Sequence, residues 1–316
     1  MIDDTPIPSP KLHRRFLSAD PSMVRVFGDP FRPLEPECRV VQFDQPLTPA
    51  QQQRAGELMR GRGDVELYVY GRASRDLDFL GHFRDLRRLH VALYELEDIA
   101  GLAHVRGSLE GFTFGSTKRK FSLRGLEGLG RLDTLFLVGH RTDFDAVSGL
   151  TGLRSLGLSG ITLPDLAPLL PLAGLRSLSI FLGGTKNLQL LPRFVELEQL
   201  SLMRITKLAD LSVLGELTTL RRLRLDWMRN VASLPSLARL ERLESVELST
   251  MKGLTDLAPI AAAPNLRRLA IDAMPQLTAE SFRCLVGHPR LAELWAYTGK
   301  SRVNEAVKRL FPGIAR

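Results

Sequence analysis

Leucine returns at a fixed interval through the C-terminal half of the chain. Leu197, Leu220, Leu243 and Leu266 each stand 23 residues after the one before. Behind each of them the apolar residues keep the same offsets. One unit runs Leu220, Leu223, Leu225, Met228, Val231, Leu234, Leu237 and Leu240, and the next runs Leu243, Val246, Leu248, Met251, Leu254, Leu257 and Ile260. The step of two from Leu223 to Leu225 is strand spacing, because alternate residues of a strand share a face. Past Leu225 the step becomes three. That suits a 3-10 turn or a threefold extended path better than an α-helix, which mixes steps of three and four. Each unit therefore predicts a short strand and a tight return path. A unit this small cannot enclose its own leucines, so neighbours must stack around a shared interior.

The register extends outward. Upstream units begin at Leu175, Leu153, Leu132, Leu109 and Leu86, and downstream Leu291 follows a longer unit of 25 residues. That unit contains Thr278 to Leu285, where a true helical turn or two is expected. The stretch from Val65 to Tyr70 predicts the strand that opens the sheet. The pattern Leu220-x-x-Leu223-x-Leu225 and segments such as Leu254-Thr255-Asp256-Leu257-Ala258-Pro259-Ile260 resemble the leucine-rich-repeat family, and within it the short-repeat internalin-like class of bacteria. The resemblance spans roughly residues 64–298, about ten units of 21–25 residues. It implies an α/β solenoid, a horseshoe with one parallel sheet on the concave face, a mostly 3-10 or irregular convex side, and helical caps. One position departs from the family, which places Asn or Cys three residues past the last strand leucine. Here Ile205, Met228, Met251 and Met274 stand there. Methionine fills volume but satisfies no buried amide. The turns are therefore expected to pair their backbone groups with one another or with water, in a softer solenoid.

The ends of such a stack need covering. Thr48-Pro49-Ala50-Gln51 has the spacing of a capping box with proline in the first turn. It predicts a helix over about 49–60, inside an N-terminal cap of residues 37–63. Residues 301–310 predict a second helix, with Val303, Ala306, Val307 and Leu310 facing inward, inside a C-terminal cap of residues 299–316. Residues 1–36 carry seven of the prolines and are expected to form a disordered tail, in which Lys11 to Leu17 is a candidate short motif.

A search for chemistry finds little. Gly299-Lys300-Ser301 lacks the first glycine of a phosphate loop, since Leu294 stands in its place. The six histidines show no helical zinc spacing and are expected at the surface or in turns. No serine sits in a nucleophile elbow. Cys38 and Cys284 match no metal spacing and are read as reduced thiols. These readings exclude no single residue by themselves, but together they predict a protein without catalysis, cofactor or metal. No signal sequence or membrane-spanning run is found, so a cytoplasmic, monomeric protein is expected.

Charge and the sheet face suggest what the chain does. On the predicted strands, positions three, five and seven of each unit point out on the concave side. Among them Phe136, Phe181, Met203, Arg222, Arg224, Asp226, Glu247, Arg268, Trp295 and Tyr297, with Trp227 just beyond, are the candidate partner-binding residues. Aromatic side chains beside arginines are common anchors of protein interfaces. The expected function is protein binding, as a scaffold, a neutraliser of a toxin or a delivered effector. The net charge of +8 leaves nucleic-acid binding as the alternative, through a stripe that includes Arg87-Arg88, Arg221-Arg222 and Arg267-Arg268. Glu244, Glu247, Asp226 and Asp272 interrupt that stripe.

Overall fold

The computed structural model describes residues 24–26 and 33–315. The chain packs as two compact units, residues 1–159 and 160–316. The first unit holds β1 (Val24–Val26), β2 (Val40–Phe43), β3 (Glu66–Gly71), β4 (Arg88–Leu93), β5 (Gly111–Phe114), β6 (Thr134–Val138) and β7 (Ser155–Ser159). Each strand pairs in parallel with the next in the chain. The second unit holds β8 (Ser177–Phe181), β9 (Gln199–Met203), β10 (Arg222–Asp226), β11 (Ser245–Ser249), β12 (Arg268–Asp272) and β13 (Glu293–Tyr297), again parallel and consecutive.

The 23-residue interval becomes strand register. Leu200, Leu223, Val246, Leu269 and Leu294 form one transverse row, and Leu202, Leu225, Leu248, Ile271 and Ala296 form the next. None of these ten side chains is more than 5% exposed. The inward face of each strand thus borrows its interior from its neighbours, as the repeat required. The return paths are short 3-10 turns, such as Ser212–Glu216, or a single helical turn at α2 (Ala258–Ala261). Many open in the same way. The side-chain oxygens of Asp76, Asp98, Asp165, Asn187, Asp210 and Asp256 each accept the backbone N–H two residues on, at 2.8–3.1 Å. This local bond offers the chain a turn instead of a continuing strand. Parallel strands in chain order, 3-10 returns and a shared leucine interior make this a leucine-rich-repeat solenoid.

Several expectations change. The sheet does not open at Val65, because β1 and β2 precede β3. Val40-Val41-Gln42-Phe43 is β-branched and aromatic, hence strand-forming, yet it carries no leucine of the repeat to mark it. One strand, β1, falls within the proline-rich stretch. The candidate motif from Lys11 to Leu17 lies outside the described residues. Residues Ala279–Leu285 form a 3-10 turn and not an α-helix. Phe282 and Leu285 are both buried and stand three apart, the spacing at which 3-10 side chains align.

The helix α1 (Pro49–Met59) follows β2, and Thr48 and Gln51 close its capping box. Gly56 lets it approach closely, for a Cβ there would lie 2.0 Å from the carbonyl oxygen of His82. At the other end, the edge of β13 is met by the chain terminus. Leu294 N–H donates to Ile314 O at 2.9 Å, after α3 (Ser301–Leu310) has turned the chain back.

The carbonyls of the methionine turns find partners without an asparagine at that position. Ile205, Met228, Met251 and Met274 are at most 1% exposed. Their carbonyls accept from the N–H of Leu208, Val231, Leu254 and Leu277 at 3.1–3.2 Å. Side-chain amides of the following repeat add to this. Asn230 donates to Thr206 O at 2.7 Å, and Gln276 donates to Met251 O and Leu254 O at 2.6 and 2.8 Å.

Candidate functional site: the open sheet face and strand ends of the second unit

Register places the outward residues of the second unit in three transverse rows. The first is Ser177, Gln199, Arg222, Ser245, Arg268 and Glu293, the second Ser179, Ser201, Arg224, Glu247, Ala270 and Trp295, and the third Phe181, Met203, Asp226, Ser249, Asp272 and Tyr297. Exposure is uneven along them. Every residue of β8 is buried, whereas on β12 and β13 the outward side chains reach solvent. Trp295 is 42% and Tyr297 64% exposed.

The sequence-derived candidates separate accordingly. Arg222, Arg224, Glu247, Arg268, Trp295 and Tyr297 lie on β10 to β13 and share this face. Met203 is half-buried on β9. Phe181 is 2% exposed on β8. An apolar ring on a strand buried along its whole length gains by leaving water, so it packs as core. Asp226 is 4% exposed on the outward side of β10, with Oδ2 3.9 Å from an Arg224 guanidinium nitrogen. Arg224 also lies 3.7 Å from Glu247 Oε2, so its charge is shared between two carboxylates. Phe136 belongs to the first unit. Its ring occupies the space above Gly157 of β7, where a Cβ would stand 2.1 Å from Phe136 Cδ2.

Trp227 stands just past the end of β10, 38% exposed, with a φ of 54°. It belongs to a ladder that strand alternation does not reveal. The residue after each strand of this unit up to β12 takes the left-handed conformation: Leu182, Arg204, Trp227, Thr250 and Ala273, with φ of 50–56°. Each donates its N–H to the last residue of the next strand, at 2.8–3.0 Å. The corner thereby adds one more rung to the sheet. Left-handed backbone costs a residue with a side chain roughly 1–2 kcal/mol relative to the right-handed form. Glycine would meet the geometry without that cost, as Gly160 does at a φ of 66°. Arg204 and Arg229 lie over the Trp227 ring, 5.0 and 5.6 Å from its centre.

In the first unit a polar cluster lies on β3 and β4, at residues that the leucine interval does not mark. Tyr68 lies opposite His90, with ring centres 4.2 Å apart, and stacks on Tyr70 at 4.8 Å. Glu66 Oε1 is 3.7 Å from His90 Nδ1. Burial pushes the Glu66 carboxyl up to about 7, against the pull of Arg88. Burial, with Tyr70 and Glu66 beside it, pushes Tyr68 up to about 12. His140, expected at the surface or in a turn, lies just past the bend after β6, where it is fully buried and stacks on Phe114 at 3.8 Å. Its Nε2 donates to Gly115 O at 2.9 Å. Burial lowers its pKa, opposed by that carbonyl and aided by Lys120.

Among the described residues no group of three or more His, Cys, Asp or Glu side chains could hold a metal ion. Cys38 and Cys284 are free thiols. No described helix is long and apolar enough to cross a membrane.

No protein-family model matches the chain. Comparison with curated proteins finds no relative. Among solved structures, internalin C2 from Listeria monocytogenes matches at 17% identity and a TM-score of 0.38, over 78% of this chain and 83% of the other. A leucine-rich-repeat protein of Leptospira interrogans matches at 14% identity and a TM-score of 0.37, over 89% and 90%. TLR13, solved as a complex with ssRNA13, matches at 17% identity and a TM-score of 0.43, over 82% of this chain and 36% of its own. The architecture itself rests on the strand order and register above.

Proposed function

We propose that the chain is a protein-binding module without catalytic activity, and that its partner sits on the open face of β10 to β13. The observation that carries this reading is the exposure of Trp295 and Tyr297 beside Arg268 and Asp272 on adjacent strands. Indole, phenol and guanidinium groups dominate the energetics of protein interfaces, because each combines a large apolar area with a polar group that fixes orientation. A parallel sheet holds them in fixed register, so little side-chain and backbone freedom remains to be lost on binding. In this reading the partner meets Arg222, Arg224, Glu247 and Met203 as the shoulder of the patch, while Phe136 plays no part in it.

The same proposal takes the chain to be a monomer in a bacterial cytoplasm, with residues 299–316 closing the repeats. Free thiols at Cys38 and Cys284 suit that setting. Affinity capture from a native lysate with mass spectrometry tests it, using the native chain beside Arg268→Ala/Trp295→Ala/Tyr297→Ala. At least one protein should be retained by the native chain and lost from the variant. An identical set of proteins on both would remove the face from consideration.

A further inference from the structure

The two edges of the second unit's sheet treat positive charge differently. At the strand starts, three arginines meet glutamates of the following repeat, while exposed Arg267 has no ion pair among the described residues. Arg176 Nε lies 3.2 Å from Glu196, Arg221 lies 3.2 Å from Glu244, and Arg268 Nε lies 4.0 Å from Glu293. At the strand ends the exposed cations are Lys186, Arg204, Lys207, Arg229 and Lys252. None of them has an ion pair among the described residues. The segments 182–187, 204–208, 227–231 and 250–254 contain no Asp or Glu. Further along the same repeats, Asp210 and Asp256 already accept backbone N–H groups of the return turns.

We propose that this strand-end edge docks an acidic polypeptide segment of the partner protein. The proposal rests on the protein-binding reading and names the chemistry of what is bound. Three observations combine to support it: the unpaired cations, the guanidinium stack and the left-handed corners. Arg204 and Arg229 both lie over the exposed Trp227 ring, which restrains two long side chains before any ligand arrives. A restrained guanidinium loses less freedom when it takes a carboxylate through two hydrogen bonds. Side chains, including Trp227 and Leu182, stand at corners where glycine would be the easier choice. Strained backbone of this kind concentrates where a side chain is needed for function.

Geometry matches the ligand. Neighbouring strands are about 4.8 Å apart, so the corners of β8 to β11 span roughly 15 Å. An extended segment of four or five residues covers that distance at about 3.3 Å per residue, with alternate carboxylates on one side. A single-stranded nucleic acid would need bare aromatic rings on which to stack its bases. Trp227 is the one aromatic residue in the four segments, and the two guanidinium groups lie over it.

The test is fluorescence anisotropy on the purified full chain, with fluorescein-labelled oligoglutamate and, separately, labelled oligodeoxythymidylate. Oligoglutamate should bind at low ionic strength and be released by salt. Arg204→Gln/Lys207→Gln/Arg229→Gln should weaken it by about tenfold or more, as expected when charge-assisted hydrogen bonds are lost. Arg176→Gln/Arg221→Gln, at the other edge, should change it less than about twofold. Should the triple variant melt early, Lys186→Glu/Lys207→Glu alters only exposed ammonium groups and must give the same loss. Absence of oligoglutamate binding, equal losses at both edges, or tighter binding of oligodeoxythymidylate would each overturn the proposal. If that happens while lysate capture still depends on Trp295 and Tyr297, the protein-binding reading survives and only this inference fails.

Discussion

At the strand starts of the second unit Arg176, Arg221 and Arg268 are paired with glutamates of the next repeat and Arg267 is left over, and the backbone there is ordinary strand. At the strand ends Lys186, Arg204, Lys207, Arg229 and Lys252 lack a carboxylate partner among the described residues, and the backbone turns through left-handed corners that carry side chains. Both edges are built by the same repeat, stacked on the same leucines. The difference therefore does not come from the demands of the core. A surface whose arginines are already paired has little to offer an anion, since a new partner must first displace the old one. The open edge has lower barriers to binding, and its left-handed backbone is the structural expense of keeping side chains there.

The contrast can be broken at its foundation first. Met251 is fully buried beneath the Thr250 corner. Met251→Ala should cost about 2–5 kcal/mol in denaturant unfolding through the cavity it leaves. A loss below about 1 kcal/mol would mean that the methionine turns do not anchor the strand ends.

The corners come next. Thr250→Gly relieves a β-branched residue of left-handed backbone and should stabilise by up to about 1 kcal/mol, after the added freedom of the unfolded chain is deducted. The mirror experiment is Gly160→Ala. A Cβ there meets nothing within 4 Å, so its cost is purely conformational, about 1 kcal/mol. Equal and opposite shifts in denaturation midpoint would sharpen the comparison, and a destabilising Thr250→Gly would break it.

The first unit closes one of its strand ends differently, with His140 bonded to Gly115 O behind β5. His140 has a lowered pKa in the folded chain, so the unfolded chain binds the proton more readily. Its contribution is fully present above the unfolded value of about 6.5 and is lost as pH falls from there toward the folded pKa. Melting temperature measured across that interval should drop on acidification, and His140→Gln should reduce the drop. The smallest effect belongs to the paired edge. Arg221→Gln should change stability by about 0.5 kcal/mol or less, because both partners of that ion pair are partly solvated.

The apolar skeleton was readable in the sequence because burial demands it at fixed positions. Leu223, Leu225 and Met228 repeat because each must fill the same space one repeat further on. The return turns were readable as threefold paths, although the Asp and Asn residues that open them were not recognised as hydrogen-bond acceptors. Strand β2 was invisible, since Val40 to Phe43 satisfies a strand without obeying the leucine interval. The sheet face was only half legible. Alternation identifies which side chains leave the core, but Phe181 and Asp226 show that leaving the core does not mean reaching water. Of the strand-end edge, the sequence marks only Trp227, just beyond β10. The residues of this edge follow the last alternating position, and a backbone of positive φ has no signature when Leu, Arg, Trp, Thr and Ala occupy it in turn. The one available signal was that Lys and Arg, and no Asp or Glu, occupy the few residues after each of β8 to β11.

Hydrogen–deuterium exchange of the full chain, with and without saturating oligoglutamate, tests the central claim most directly. Protection should appear in residues 182–187, 204–208, 227–231 and 250–254, and the strand starts around Arg176 and Arg221 should exchange unchanged. Protection centred on those strand starts, or none in the four segments, would contradict the account.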